Sequence, residues 1–208
     1  EPVWQILRDN IRVSDLVVGD MEAQIASARI GADRLSDLIA QYGYPTFRAA
    51  CASVMGYAER LMRGAIAKLP DGDYTATTHI DGFLDSPDPK KSRLPLVVTI
   101  RVRGEEMEVD LTGTADQVPD RPINMPFEGT VDIAVWLTVR SVLLDTAVLG
   151  HIPVNEGLVR PIKIKAPLGC LANPIFPAPT IARFAPGNQL ADTVMKALAQ
   201  AVPGRVSA

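Results

Sequence analysis

The sequence is short of the residues that usually build reactive centres. In 208 residues it has two histidines, His79 and His151, and two cysteines, Cys51 and Cys170. Neither histidine has a His or Cys partner at zinc-ligand spacing, and two isolated cysteines make neither a metal pattern nor a disulfide framework. His79 with Asp81 amounts to a fragment of a metal site at most, and an exposed or hydrogen-bonded strand histidine is the plainer reading. His151, beside Ile152-Pro153, reads as structural. Both cysteines are expected to be buried, unreactive thiols. There is no Gly-x-Ser-x-Gly elbow to present a nucleophilic serine, and no glycine-rich loop of either phosphate-cradling pattern. Charge is nearly balanced, with 21 basic and 24 acidic residues and a net charge of −3. That leaves no positive field for nucleic acid. The one basic cluster, Lys90-Lys91-Ser92-Arg93, lies among prolines, as a solvated loop does. No stretch approaches the ~20 apolar residues of a membrane span, and no signal-peptide pattern is present. A reducing, cytoplasmic setting is expected from the cysteine usage. The opening Glu1-Pro2-Val3-Trp4 lacks an initiator Met, so a piece of a longer protein is expected.

What the chain does have is strong periodicity. Leu16 to Gln41 repeats Met21, Ile25, Ala28, Ala32, Leu35 and Ile39 at helical steps. Gly43 breaks that helix. A second helix starts near Pro45, a residue tolerated in a first turn, and carries Phe47, Cys51, Val54, Ala58, Leu61, Ala65 and Leu69. A link this short predicts an antiparallel pair, with Gly56 and Gly64 allowing close packing against the first helix. Leu69-Pro70-Asp71-Gly72-Asp73 ends the helical part. Tyr74 to Leu84 reads as a strand. Leu96, Val98, Ile100 and Val102 alternate, Arg103-Gly104-Glu105-Glu106 turns, and Met107, Val109 and Leu111 resume the period of two: a β-hairpin. Its other face carries Arg101, Arg103, Glu106, Glu108 and Asp110, charges suited to cross-strand pairing in solvent. Thr112 to Phe127 is irregular and proline-punctuated. Glu128 to Asp145 is apolar almost all round, as a buried helix is. Leu158 to Ala166 has strand character. Leu168 to Pro186 is a second long loop, with Pro174, Pro177 and Pro179 inside it, and Asn188 to Val202 is a last helix.

The fold class expected is therefore α+β: an antiparallel helical pair (1–73), then an α+β region (74–208) with a largely antiparallel sheet, long ordered loops and two further helices. Loops that long inside a domain usually carry function or disorder, and their interspersed apolar residues favour packed loops. The polar residues within them are the candidates for a site: Asn124 in Pro-Ile-Asn-Met-Pro, Asn155 and Glu156 in Pro-Val-Asn-Glu-Gly, and Asn188 in Pro-Gly-Asn-Gln. Asn turns and caps are also common structural devices, and Asn188 stands where it would cap the last helix. Arg160 and Arg183 offer bidentate forks to a carboxylate or phosphate, with surface pairing the plainer role. From the residues alone no catalytic group is named.

The motifs, taken in order, resemble a known family. They are Gly19-Asp20-Met21-Glu22-Ala23-Gln24-Ile25-Ala26, Leu69-Pro70-Asp71-Gly72-Asp73-Tyr74, Val109-Asp110-Leu111-Thr112-Gly113-Thr114 and Pro122-Ile123-Asn124-Met125-Pro126. Then follow Ile152-Pro153-Val154-Asn155-Glu156-Gly157 with Arg160-Pro161, Ala166-Pro167-Leu168-Gly169, Pro186-Gly187-Asn188, and Lys196-Ala197-Leu198-Ala199-Gln200-Ala201. Together they resemble the hydantoinase B family: B subunits of ATP-dependent hydantoinases, the matching half of 5-oxoprolinase, and the large subunits of acetone and acetophenone carboxylases. The resemblance implies a central-to-C-terminal segment of a catalytic subunit within a hetero-oligomer. It implies a hydantoinase A-type partner that binds ATP and phosphorylates the substrate oxygen. The B-type subunit then completes cyclic-amide hydrolysis, or carboxylation of an enolate, at a divalent metal. The family's His/Asp motifs precede the Gly19-Asp20 segment, so no metal ligand is carried over to this chain and neither ATP nor metal is expected in this segment alone. The substrate-binding candidates are Asn124, Asn155, Glu156, Arg160 and Asn188, of which the resemblance raises Asn155, Glu156 and Arg160. Gly187-Asn188-Gln189-Leu190-Ala191-Asp192 departs from the Glu-Thr-Ser type sequence of hydantoinase-like members, which leans toward the ketone-carboxylase arm. The competing expectation is a non-catalytic scaffold segment that docks the partner subunits.

Overall fold

The strict alternation of the central hairpin sets the architecture. In the computed structural model, which describes residues 2–82 and 85–206, β1 (Gly72–Asp81), β2 (Arg93–Arg103), β3 (Glu106–Asp110) and β4 (Ile162–Lys165) form one sheet in that order. The last two positions of the expected first strand, Phe83 and Leu84, lie outside the described residues, as does the side chain of Lys90. β1 runs antiparallel to β2, and β2 to β3, with Val102 opposite Met107 across a two-residue turn. Gly104 in that turn has φ 58°, a left-handed conformation that suits glycine in tight hairpins. β4 pairs parallel to β3, which requires the long crossover between them. Two single-turn helices, α4 (Pro89–Ser92) and α6 (Thr146–Leu149), lie in the connections.

Leu94, Leu96, Val98, Ile100 and Val102 all point to one face and are buried. That face is covered by α7 (Phe184–Ala201), which packs on β1 and β2 and, on another side, against α5 (Asp132–Leu143). Leu190, Val194, Ala197, Leu198 and Ala201 supply α7's buried stripe. Two polar contacts fix its height on the sheet. Thr78 and Thr193 share a buried hydroxyl hydrogen bond of 2.6 Å, and Gln200 donates to the Thr75 carbonyl at 2.9 Å. The opposite face of the hairpin holds the predicted charges: Arg101 pairs with Glu108, its register partner, and with Asp110. Asp110 departs from a solvated face, since it is buried at 5 % exposure.

The expected strand 158–166 is shorter than the pattern suggests. Asn155 accepts a hydrogen bond from the Gly157 N–H at 2.9 Å and starts a 3₁₀ turn, Glu156–Leu158. Only after it does extended backbone resume. The apolar helix in 128–145 begins later, at Asp132, because Gly129 (φ 85°) turns the chain beforehand and its N–H bonds the Asp132 carboxylate at 2.8 Å. Helix α7 begins four residues before Asn188. Pro186, whose missing N–H costs nothing in a first turn, and Gly187, bonded to the Arg183 carbonyl, are already helical. Asn188 therefore caps nothing and is exposed.

Close contacts divide the chain into residues 1–53 and 54–208, and all of the sheet lies in the second unit. The first unit contains α1 (Pro2–Asn10), α2 (Ser14–Tyr42) and the first part of α3 (Tyr44–Ile66). Gly43 between the helices has φ 78° and donates its N–H to the Ile39 carbonyl, closing α2 as predicted. The apolar stripe of this unit is open: Ile25 is 42 % and Leu35 49 % exposed, and Val18 is its one core residue among those described. Cys51 is exposed too, correcting the expectation of a buried thiol, because the α3 stripe enters the core only from Ala58 onward, through Met62, Ile66 and Leu69. Gly56 and Gly64 do not mark close packing. A methyl group at Gly64 would meet nothing within 4 Å, and one at Gly56 only the Arg60 Nη1 at 3.4 Å.

Candidate functional site

The polar residues that stand out in the sequence do different jobs. Asn124 is wholly buried and its amide is saturated. Its Oδ1 accepts from the Val118 N–H at 2.8 Å, while Nδ2 donates to the carbonyls of Val118 (2.7 Å) and Pro179 (2.8 Å), and more weakly to Arg121 at 3.4 Å. One side chain thus ties the first proline-rich loop to the second. Every strong hydrogen-bonding position of its amide is used internally, in the way buried polar groups demand.

Val109-Asp110-Leu111-Thr112-Gly113-Thr114 works similarly. Asp110 accepts from the Thr112 N–H (2.9 Å) and hydroxyl (2.6 Å) and from Arg101 (2.9 Å). Burial pushes the Asp110 carboxyl up, but these donors outweigh it and hold the group below its ordinary value. Thr114 Oγ1 receives the Val97 N–H at 3.1 Å and returns a bond to its carbonyl, so the chain leaving β3 folds back onto β2. In Leu69-Pro70-Asp71-Gly72-Asp73-Tyr74, Asp71 receives the Gly104 N–H at 2.8 Å and Tyr74 donates to the Pro70 carbonyl at 2.8 Å.

The segment 152–161 lies along the second part of α3. Gly157 sits so close to that helix that an added Cβ would come within 2.0 Å of the Met55 carbonyl oxygen. No side chain fits there without moving backbone. Arg160 pairs with Glu59 at 3.1 Å, and Glu59 with Arg63 at 2.9 Å. Arg63 reaches Glu106 at 3.6 Å, and Glu106 reaches Lys163 at 3.3 Å. Five alternating charges thus join the 152–161 turn, α3, β3 and β4. The guanidinium of Arg63, then that of Arg160, holds Glu59 below the ordinary carboxylate value, and Lys163 does the same for Glu106. Arg183, the other guanidinium considered, lies 4.8 Å from the centre of the Phe184 ring.

Of the five candidates, Asn124 is internal, Arg160 is engaged in an ion pair, and Glu156 and Asn188 are exposed. The structure does not bring them together. Asn155 lines a cavity, a notch of about 150 Å³ between α5 and the 153–159 turn. Beside it stand two residues that the sequence did not single out, Trp136 and Arg140. Trp136 Nε1 and Arg140 Nε are buried donors without an acceptor among the described residues. Each such orphan costs roughly 1–3 kcal/mol. An arginine within a largely apolar helix was the available signal for this spot, since charged side chains are mostly exposed.

His79 is exposed on β1, in a separate depression with Lys91 and Arg93. Cys170 is buried, and burial raises its thiol pKa. Among the described residues no three His, Cys, Asp or Glu side chains gather into a group able to hold a metal. The residues present do not fit the divalent metal that the resemblance implies for a whole subunit. No helix of the described residues is long and apolar enough to cross a membrane.

The described residues thus form an α+β segment whose ordered motifs pin loops and close-packed turns. The family model "Hydantoinase B/oxoprolinase" matches residues 1–208, and the chain belongs to that family. It is 63 % identical, over 99 % of its length and 35 % of the relative's, to a putative D-/L-hydantoinase B protein of Pseudomonas sp. (strain NS671). It is 29 % identical to the beta chain of the caprolactamase of Pseudomonas jessenii, over 100 % of this chain and 34 % of that protein. The crystal structure of the ATP-dependent caprolactamase from P. jessenii superposes with a TM-score of 0.80 over all of this chain and 34 % of that one. A nucleotide-free acetone carboxylase shares the fold, with a TM-score of 0.75 at 12 % identity, over 97 % of this chain and 27 % of that one. The chain thus spans about a third of the length of these relatives.

Proposed function

We propose that this chain is part of the catalytic subunit of an ATP-dependent cyclic-amide hydrolase of the hydantoinase/oxoprolinase type, working in the cytoplasm with an ATP-binding partner subunit. The observation that carries this reading is the 63 % identity, over nearly the whole chain, to a protein named as a putative hydantoinase component of the B type. That likeness outweighs the leaning of Gly187–Asp192 toward the ketone-carboxylase arm, since the acetone carboxylase shares 12 % identity. The chemistry suits a two-subunit division. An amide carbonyl is a poor electrophile, and transfer of a phosphoryl group from ATP to its oxygen gives water a carbon it can attack. Within that enzyme this segment is assigned the scaffold around the reaction. Asn124, Asp110 and Gly157 hold loops and turns, and Asn155, Glu156 and Asn188 are the candidates left with a free face for substrate or partner.

The test uses the full-length subunit assembled with its ATP-binding partner. Hydantoin-dependent ATP hydrolysis is expected, and its absence with hydantoin and 5-oxoproline alike would overturn the hydrolase reading. Asn155→Ala and Arg160→Ala in that complex separate two roles. Intact assembly with a large fall in kcat assigns the 152–161 turn to the substrate. Weakened assembly with unchanged turnover per complex assigns it to docking.

A further inference from the structure

The open stripe of α2 has a period of its own. Met21, Ile25, Ala28, Ala32, Leu35 and Ile39 follow one another at alternating steps of four and three. Val18 and Tyr42 extend the pattern at either end, to about three and a half heptads of the a/d repeat of a coiled coil. A helix that rests on a globular core carries a broader apolar stripe. Helix α2 packs on α1, and Val18 is buried. Beyond that point every residue from 22 to 38 is exposed, whichever side of the helix it occupies. An isolated helix of this length is marginal in water, and a strict heptad seam is the pattern by which such helices find another helix.

We propose that α2 pairs antiparallel with α2 of a second copy of this subunit, crossing at the level of Ile30. In that register the seam complements itself: Ala28 faces Ala32, Ile25 faces Leu35 and Met21 faces Ile39. Gly31 lies beside the two alanines, and a Cβ there would meet nothing within 4 Å, so the small residues at the centre let the helices approach closely. Charge selects the direction. Arg29 and Asp33, beside the seam, have no ion-pair partner among the described residues. Helical side chains lean toward their own N-terminus, so in the antiparallel pair each Arg29 leans away from its twin and toward the other copy's Asp33. A parallel pair sets Arg29 beside Gln24 instead. The contact is isologous, as a two-fold interface requires. The inference is independent of the hydrolase reading, because it concerns assembly and not turnover.

The test uses the full-length subunit, alone and with its ATP-binding partner. Sedimentation equilibrium of the subunit alone is expected to give a dimer. Ile25→Glu with Leu35→Glu sets carboxylates into the seam and is expected to raise the dimer dissociation constant at least about a hundredfold, with its circular dichroism matched to the parent. Arg29→Asp should weaken the dimer by about tenfold, and adding Asp33→Arg should restore it. Crosslinking reads the register without relying on those variants. Cys51, which is exposed, is first replaced by serine. A short bismaleimide is then expected to join Gly31→Cys copies to each other, and to join Met21→Cys to Ile39→Cys in a mixture of the two. Met21→Cys copies linked to one another would overturn the antiparallel register. A monomeric subunit, or a dimer indifferent to the glutamates, would overturn the pairing altogether. So would a Gly31→Cys crosslink that mass spectrometry places elsewhere in the same subunit or on the ATP-binding partner, which assigns the seam to that occupant.

Discussion

Replacing Asn124 by alanine tests whether the most buried of the candidate residues binds anything outside the fold. The side chain satisfies the Val118 N–H and the carbonyls of Val118 and Pro179 at 2.7–2.8 Å. Alanine leaves that N–H and those two carbonyls in a space shielded from water. An orphaned donor costs roughly 1–3 kcal/mol, and carbonyls with other options cost less. The total is about 3–5 kcal/mol, high among single substitutions. For a chain of this size that lowers Tm by roughly 6–20 °C. The assay is urea or thermal unfolding followed by Trp136 fluorescence in a Trp4→Phe background. Asn124→Asp provides a sharper comparison. Its oxygen still accepts from Val118, but it brings a buried negative charge toward two carbonyls. Asp is therefore expected to be at least as destabilising as Ala at pH 7 and to recover in part as the pH falls and the acid is protonated. A loss below about 1 kcal/mol for alanine would refute the account of Asn124 as an internal tie between the two loops.

Two further expectations follow from the 152–161 segment and its ion pairs. Gly157→Ala should destabilise by about 2 kcal/mol or more, because its Cβ would fall 2.0 Å from the Met55 carbonyl oxygen. A chemical-denaturation midpoint equal to the parent's would show that the turn can step away from α3 freely. Acid should weaken the fold through Glu59 and Glu106, both held below their ordinary value of 4.5, and through Asp110, held below 3.8. Carboxyls lowered in the folded state contribute stability that is complete above those ordinary values and is lost as the pH falls through the lower, folded ones. Urea midpoints should therefore hold level from pH 7 to about 5 and decline below about 4.5. Glu59→Gln should lower the neutral plateau and shallow the decline, and a decline complete before pH 5 would assign the effect to other groups.

The elements that could be read from the sequence were those whose signal is local and repetitive. Leu96, Val98, Ile100 and Val102 alternate because one face of β2 meets a helix, so the hairpin was legible residue by residue. Gly43 and Gly104 were legible because tight turns require backbone that glycine adopts freely. What covers a helical stripe was not legible. The periodic residues of α2 predict a helix correctly, yet periodicity carries no record of whether a partner is present, and Ile25 and Leu35 are exposed. The start of α7 was misplaced because Asn188 resembles a cap, while Pro186 fits equally well inside a first turn. The parallel pairing of β4 depends on where a long crossover returns, which no local pattern records. For the site, an asparagine in a proline-rich loop gives the same signal whether it contacts a ligand or ties two loops together. Asn124 and Asn155 look alike in sequence and are opposite in structure. Trp136 and Arg140 escaped notice because an unpaired donor is a property of its surroundings.

The placement of α7 constrains the order in which this region folds. The β1–β2–β3 meander forms through neighbours in sequence, but the helix that covers its apolar face joins β1 through Thr78 and Thr193, 115 residues apart. Contacts that close so long a loop are slow to form. During synthesis the sheet therefore emerges with Leu96, Val98 and Ile100 uncovered until Phe184–Ala201 has been made. A nascent chain stalled within the second proline-rich loop would present that bare sheet to chaperones, and any truncation that removes α7 should yield an aggregating product instead of a smaller soluble one.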